Sequence, residues 1–325
     1  MNKKYRYKNT DTKIQMFNIE IYLDSLPEDI EEIDVSNKGI KTLDVIRFKN
    51  LKKLYCFNNL LTSLHLNKKL QILSCSSNKL TSLHLNEKLK ELRCDDNILT
   101  SLHLNAKLEK LYCPNNQLTS LHLNENLKML NCSNNQLTCL LLNENLQRLF
   151  CSKNQLSSLQ LNEKIKILCC DHNNLSSLHL NENLQTLFCS HNQLSSLPPL
   201  ENLQTLYCHN NQLTSLHLNE KLEKLYCSHN QLTSLHLNEK LQKLVYNDNP
   251  IYEIINSFVI DIIKRKIRVL NQFCYLYYSL KFKTRLRDLL WVKIREPKIR
   301  ERYSHDYLIA NLHEETDLDD LLENW

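Results

Sequence analysis

Leu51-Lys-Lys-Leu54-Tyr-Cys56-Phe-Asn-Asn59-Leu-Leu61-Thr-Ser-Leu64-His-Leu66-Asn67-Lys-Lys69 decides the fold, because the chain goes on repeating it. Leucine or isoleucine returns every 19 residues from Leu51 to Leu241, with no insertion. Cysteine keeps the same step from Cys56 to Cys227. An asparagine stands three residues after each cysteine, and the column continues to the array's end. It comprises Asn59, Asn78, Asn97, Asn116, Asn135, Asn154, Asn173, Asn192, Asn211, Asn230 and Asn249. A fixed period of this size denotes a solenoid of stacked units.

Within one unit, Leu54 and Cys56 alternate with Lys53, Tyr55 and Phe57. Side chains alternate across a strand, so Leu54 and Cys56 face inward and the other three outward. A lone short strand cannot bury its apolar face, whereas stacked parallel strands can. The Asn59 column falls where the chain leaves the strand, and a buried amide there can serve backbone groups of its own and neighbouring units. Leu61, Leu64 and Leu66 are expected to enter the same core. A second asparagine column runs from Asn67 to Asn238 at the opposite turn, with Leu200 as its exception. Nineteen residues leave no room for a strand, two turns and a full helix. The convex side is therefore expected to be extended or 3₁₀.

The LxxLxCxxNxL segment resembles that of the leucine-rich repeat family, with cysteine for its third leucine. The short period is similar to that of bacterial effector repeats. The resemblance implies a leucine-rich repeat solenoid whose concave parallel sheet binds other proteins. Three domains are expected: a basic tail and edge cap over 1–29, the solenoid over 30–250, and a helical region over 251–325. The solenoid opens with a 21-residue unit, Ile30 to Asn50, carrying Lys38 in the asparagine position. Residues about 16–29 are expected to shield the open sheet edge, which solenoids require.

After Pro250, Ile254, Ile255, Phe258, Val259, Ile262 and Ile263 follow helical spacing and are expected to cover the other end. Lys264 to Arg302 is basic, and Tyr303 to Trp325 holds acids without lysine or arginine. Ser304 and Thr316 are expected helix N-caps. The tail, with Arg287-Asp-Leu-Leu-Trp291 and Leu318-Asp-Asp-Leu-Leu-Glu-Asn-Trp325, resembles a C-terminal segment in proteins of giant DNA viruses of amoebae. That resemblance implies a viral protein in the host-cell cytoplasm.

Composition excludes several functions. The chain has one glycine in 325 residues, which leaves no phosphate-binding glycine loop or dinucleotide fingerprint. A net charge of +5 gives no strong case for nucleic acid. No apolar run is long enough to span a membrane. The start carries Lys3, Lys4, Arg6 and Lys8 without the apolar run of a secretory signal.

The cysteine column reads as core packing. There is no CxxC, and a linear column cannot close a tetrahedron around one metal ion. Parallel Cβ vectors disfavour disulfides, so the thiols imply a reducing compartment, the cytoplasm. Cys169 takes an outward strand position and is expected to be the most accessible thiol. Histidines recur at His65, His84, His103, His122, His179, His217 and His236, facing the convex solvent, as copying of the unit explains. His172, His191, His209 and His229 lie near the strand exits, without a fixed ligand spacing.

The variable outward column carries the functional expectation. Its large members are Tyr55, Arg93, Tyr112, Phe150, Phe188, Tyr207 and Tyr226. Phe188, Tyr207 and Tyr226 occupy consecutive units and are expected to stack as an exposed patch. Aromatic residues flanked by small polar ones have the composition of interaction hot spots. The expected function is a monomeric, non-enzymatic scaffold that binds a protein partner on the concave face, with no cofactor or metal. The alternative is an effector whose C-terminal helices are catalytic, as in repeat-bearing ubiquitin ligases of pathogens, or bind nucleic acid.

Overall fold

The computed structural model describes residues 17–257, 259–272 and 275–276. The basic N-terminal tail, Cys274, the caps at Ser304 and Thr316, and the acidic stretch lie outside the described residues. The chain forms two compact units, residues 1–264 and 265–325. In the second, residues 265–272 and 275–276 are helical.

The first unit contains a parallel sheet of 12 strands in sequence order, β1 to β12. They run from β1 (Glu32–Asp34) through β2 (Lys53–Tyr55) to β11 (Lys224–Tyr226) and β12 (Lys243–Val245). From β2 to β12 each strand pairs in register with the residue 19 positions on, as Leu54 with Leu73 and Leu206 with Leu225. From β2 to β11 the central leucine of each strand and the cysteine that follows it are deeply buried. Leu130 and Cys132 are both 0% exposed. The array is a leucine-rich repeat solenoid, with a short helical region after it.

The first asparagine column joins successive units. Asn135 Oδ1 accepts from the Leu118 N–H of the preceding unit at 2.9 Å. Its Nδ2 donates to Cys113 O of that unit at 3.0 Å and to Cys132 O of its own at 3.1 Å. The same pattern holds from Asn78 to Asn249. Every amide thus satisfies backbone groups that the turn leaves outside the ladder. The 21-residue opening unit fits the pattern, since Asn59 Oδ1 accepts from Lys38 N and Ile40 N. Asn135→Ala orphans a buried N–H, and such a loss costs roughly 1–3 kcal/mol. The expected result is a urea midpoint lowered by that amount of stability, and an unchanged midpoint would contradict the role.

The residue before each of these asparagines is left-handed, with φ between 51° and 55° from Ser77 to Asp248. Asparagine and aspartate tolerate this conformation, and six of the units from Asn58 onward use them: Asn58, Asp96, Asn115, Asn134, Asn210 and Asp248. Ser77, Lys153, His172, His191 and His229 adopt it at a cost of roughly 1–2 kcal/mol per residue.

The convex segments are extended with one turn per unit, and no 3₁₀ helix forms among the described residues. Leu61 and Leu64 are buried as expected, but Leu66 is only half-buried, as are Leu85 and Leu104. Convex segments lack a continuous hydrogen-bond ladder, so shallow grooves between them reach this column. Where a bridge does form, between Gln160 and His179, the adjacent Leu161 is 8% exposed.

At the first edge, helix α1 (Ile19–Asp24) buries Leu23, and Asp24 pairs with Arg47 at 2.7 Å. The Asn18 side chain caps it by accepting from Glu20 N and Ile21 N. At the other edge, helix α2 (Pro250–Ile255) buries Ile251 and Ile255. Tyr246 replaces cysteine in the last unit, and its ring meets Tyr252 edge-on at 5.2 Å. Asn249 bonds Cys227 O and Tyr246 O, so the ladder runs directly into α2.

Candidate functional site

From β2 to β11 the outward column is the last residue of each strand, between its buried central leucine and the buried cysteine that follows, so the core fixes the backbone beneath every ring. The structure brings three of the expected residues together. Phe188 and Tyr207 stack at 4.5 Å between ring centroids, tilted by 17°. Tyr207 and Tyr226 stack at 4.0 Å, tilted by 12°. In-register parallel strands impose this face-to-face arrangement, although isolated rings prefer offset or edge-on contacts. Stacking half-buries all three rings, so they are less exposed than the sequence suggests.

The stack has a polar end. The Tyr207 hydroxyl is pushed up to about 12, first by its hydrogen bond to Tyr226 and then by desolvation. The Tyr226 hydroxyl is shifted down, first by a hydrogen bond from Lys243 and then by that from Tyr207. The two directions agree in making Tyr226 the acceptor for both Lys243 and Tyr207. The Lys243 ammonium also lies 5.3 Å from the Tyr226 ring centroid.

The other expected residues occupy the same column but form separate groups. Phe150 is separated from Phe188 by the strand of Cys169. Arg93 lies over Tyr112 at 4.6 Å and pairs with Glu91 at 3.2 Å. The Tyr112 hydroxyl donates to Met129 sulfur at 3.1 Å. Tyr55 stands on β2 beside Ser74.

Cys169 is half-buried between Phe150 and Phe188, and desolvation, with Asp171 second, pushes its thiol up to about 12. Cys139, to which the sequence assigns no role, is exposed. Burial raises every ladder thiol, Cys56 and Cys132 to about 12. All described cysteines are free. Thiolate fraction and access govern labelling. Among the described cysteines of the folded chain, Cys139 is therefore expected to label first, Cys169 more slowly, and the ladder only on unfolding. Mass spectrometry after timed alkylation reads the order, and early labelling of Cys132 would contradict it.

A histidine cluster is the feature that sequence reasoning missed. His172 and His191 stack at 4.0 Å, and His191 meets His209 edge-on at 5.1 Å. His209 Nδ1 shares a 2.8 Å hydrogen bond with the Ser190 hydroxyl. Burial shifts His191 and His209 down, His172 adding to the effect on both. Part of the signal was present: His172 and His191 share the left-handed position of the 19-residue register, whereas His209 stands one residue before it, next to Asn210. Among the described residues, no group of three or more histidine, cysteine or acidic side chains is placed to hold a metal ion.

Comparison with known proteins agrees with this geometry. A family model described as leucine-rich repeats (2 copies) matches residues 182–220, which include Phe188 and Tyr207. No curated protein sequence matches the chain. Among solved structures, the functional domain of InlJ from Listeria monocytogenes, described as including a cysteine ladder, is 29% identical with a TM-score of 0.62. The match covers 68% of this chain and 58% of that one. YopM from Yersinia enterocolitica is 26% identical with a TM-score of 0.57, covering 67% of this chain and 60% of that one. The internalin InlF from Listeria monocytogenes shares the fold at 19% identity and a TM-score of 0.62, covering 71% and 80% of the two chains. The chain thus spans less than two thirds of the InlJ and YopM structures. The fold is that of the leucine-rich repeat proteins, with a cysteine ladder in its core.

Proposed function

We propose that the chain is a non-enzymatic scaffold that docks a protein partner on the outward, concave face of its sheet, centred on Phe188, Tyr207 and Tyr226. Leucine-rich repeat proteins are in general protein-interaction scaffolds, which supports the reading. The observation that carries it is the three-ring stack on consecutive strands. A rigid backbone lets a partner cover these rings without ordering a loop, which keeps the entropic cost of binding low. Tyr55, Arg93, Tyr112 and Phe150 extend the face toward the N-terminal units. The free ladder thiols support action in a reducing compartment, the cytoplasm. The tail's resemblance to giant-virus proteins supports placing it in an infected host cell. Among the described residues no helix is long and apolar enough to cross a membrane. The test is capture from cell extract by the wild-type chain and by the Tyr207→Ala variant. A protein retained by the first and lost by the second is the expected result. Equal retention of every captured protein would contradict the reading.

A further inference from the structure

The charge beside the ring stack specifies a kind of partner. Two lysines stand next to it, Lys224 on β11 and Lys243 on β12, both exposed and directly opposite one another in the strand register. Like charges directly opposite across a sheet are destabilising. Elsewhere in this column lysines are neutralised by the preceding strand. Lys53 pairs with Glu32 at 2.9 Å and Lys110 with Glu91 at 3.3 Å. Lys224 instead follows Thr205, and Lys243 follows Lys224, so neither has a carboxylate opposite it.

The nearby acids are otherwise placed. Asp171 accepts from Ser190 N at 2.8 Å, and Asp248 lies 3.3 Å from His229 at the far rim. Glu223 precedes β11 without an ion pair to either lysine within 4.0 Å. Among the described residues, the stack is therefore bordered along its strand-entry side by two cations without a carboxylate partner.

Resting on the docking face described above, we infer that its occupant is an acidic segment of a protein partner, in which carboxylates flank a bulky apolar side chain. The apolar side chain covers the rings of Tyr207 and Phe188. The carboxylates accept from Lys224 and Lys243 and relieve the repulsion between them. Lys243 already lies against Tyr226, so a carboxylate reaching it also sits at the polar end of the stack.

The test is selection from a phage library of random peptides on the immobilised full chain. Recovered sequences are expected to be enriched in aspartate and glutamate around phenylalanine, tryptophan or leucine. Their affinity is expected to fall about tenfold in the Lys224→Gln/Lys243→Gln double variant, and to weaken with salt, as for charge-steered contacts. Both lysines are exposed, so an unchanged melting temperature shows that the double variant is folded. Absence of acidic enrichment, including no selection at all, overturns the inference. So does undiminished binding of acidic peptides to the double variant. Neutral or basic peptides that still require Tyr207 would overturn the acidic class and leave the docking face standing. Acidic peptides indifferent to both Tyr207→Ala and the lysine changes would remove both.

Discussion

Leu121→Ala is expected to destabilise the solenoid by roughly 2–5 kcal/mol, the range for large-to-small changes in a packed core. Leu121 lies on the convex side of a middle unit and is 5% exposed, although it belongs to no strand. Its neighbours along the array, Leu102 and Leu140, are equally enclosed at 5% and 6%. Removing its side chain opens a gap touching two adjacent units. In a solenoid, stability is nearly a sum of unit and nearest-neighbour terms, so the loss also weakens coupling through the middle of the array. His122 is exposed beside it, and His122→Ala is expected to change stability by less than about 0.5 kcal/mol, as surface substitutions do. Chemical melts of both variants check the pair. Equal effects would contradict the inward and outward assignment.

How much of this was legible in the sequence depended on whether a residue's role repeats. Cys132 and Asn135 recur in register, so their roles as inward core and turn amide follow from period and alternation alone. The amide's bond partners, Leu118 N and Cys113 O, needed coordinates, because they belong to the preceding unit. Leu66 was misjudged because its spacing matches that of a buried strand residue. The convex segments have no continuous ladder to close over it. Cys169 looked accessible from its outward position, but it is half-buried on its strand between those of Phe150 and Phe188. The consecutive run of Phe188, Tyr207 and Tyr226 could be read directly, since each step of 19 is one strand. The Lys243 contact and the stacked histidines depend on side-chain directions at neighbouring positions, which a period does not specify.

Tyr207→Ala is expected to weaken partner binding by about 2 kcal/mol or more, the scale of a central aromatic hot spot. Tyr207 is the middle ring, in contact with Phe188 on one side and Tyr226 on the other. Truncating it removes apolar area and separates the two remaining rings by an empty strand position. It also removes the hydroxyl that donates to Tyr226. Two side-chain torsions per ring keep the ordering cost of such a contact low, so the lost area is not offset by much regained freedom. Stability is expected to change far less than for Leu121→Ala, because Leu206 and Cys208 beneath the ring stay packed at 3% and 0% exposure.

The most direct test is a paired measurement on Phe188→Ala, Tyr207→Ala, Tyr226→Ala and the convex variant His217→Ala. It reads the Kd for a protein captured by the wild-type chain together with each variant's melting temperature. The account predicts a Kd raised about 30-fold or more for Tyr207→Ala, equivalent to about 2 kcal/mol. It predicts smaller increases for the two flanking rings, wild-type binding for His217→Ala, and near-native melting throughout. Wild-type binding by all three ring variants, with loss of binding in His217→Ala, would contradict it.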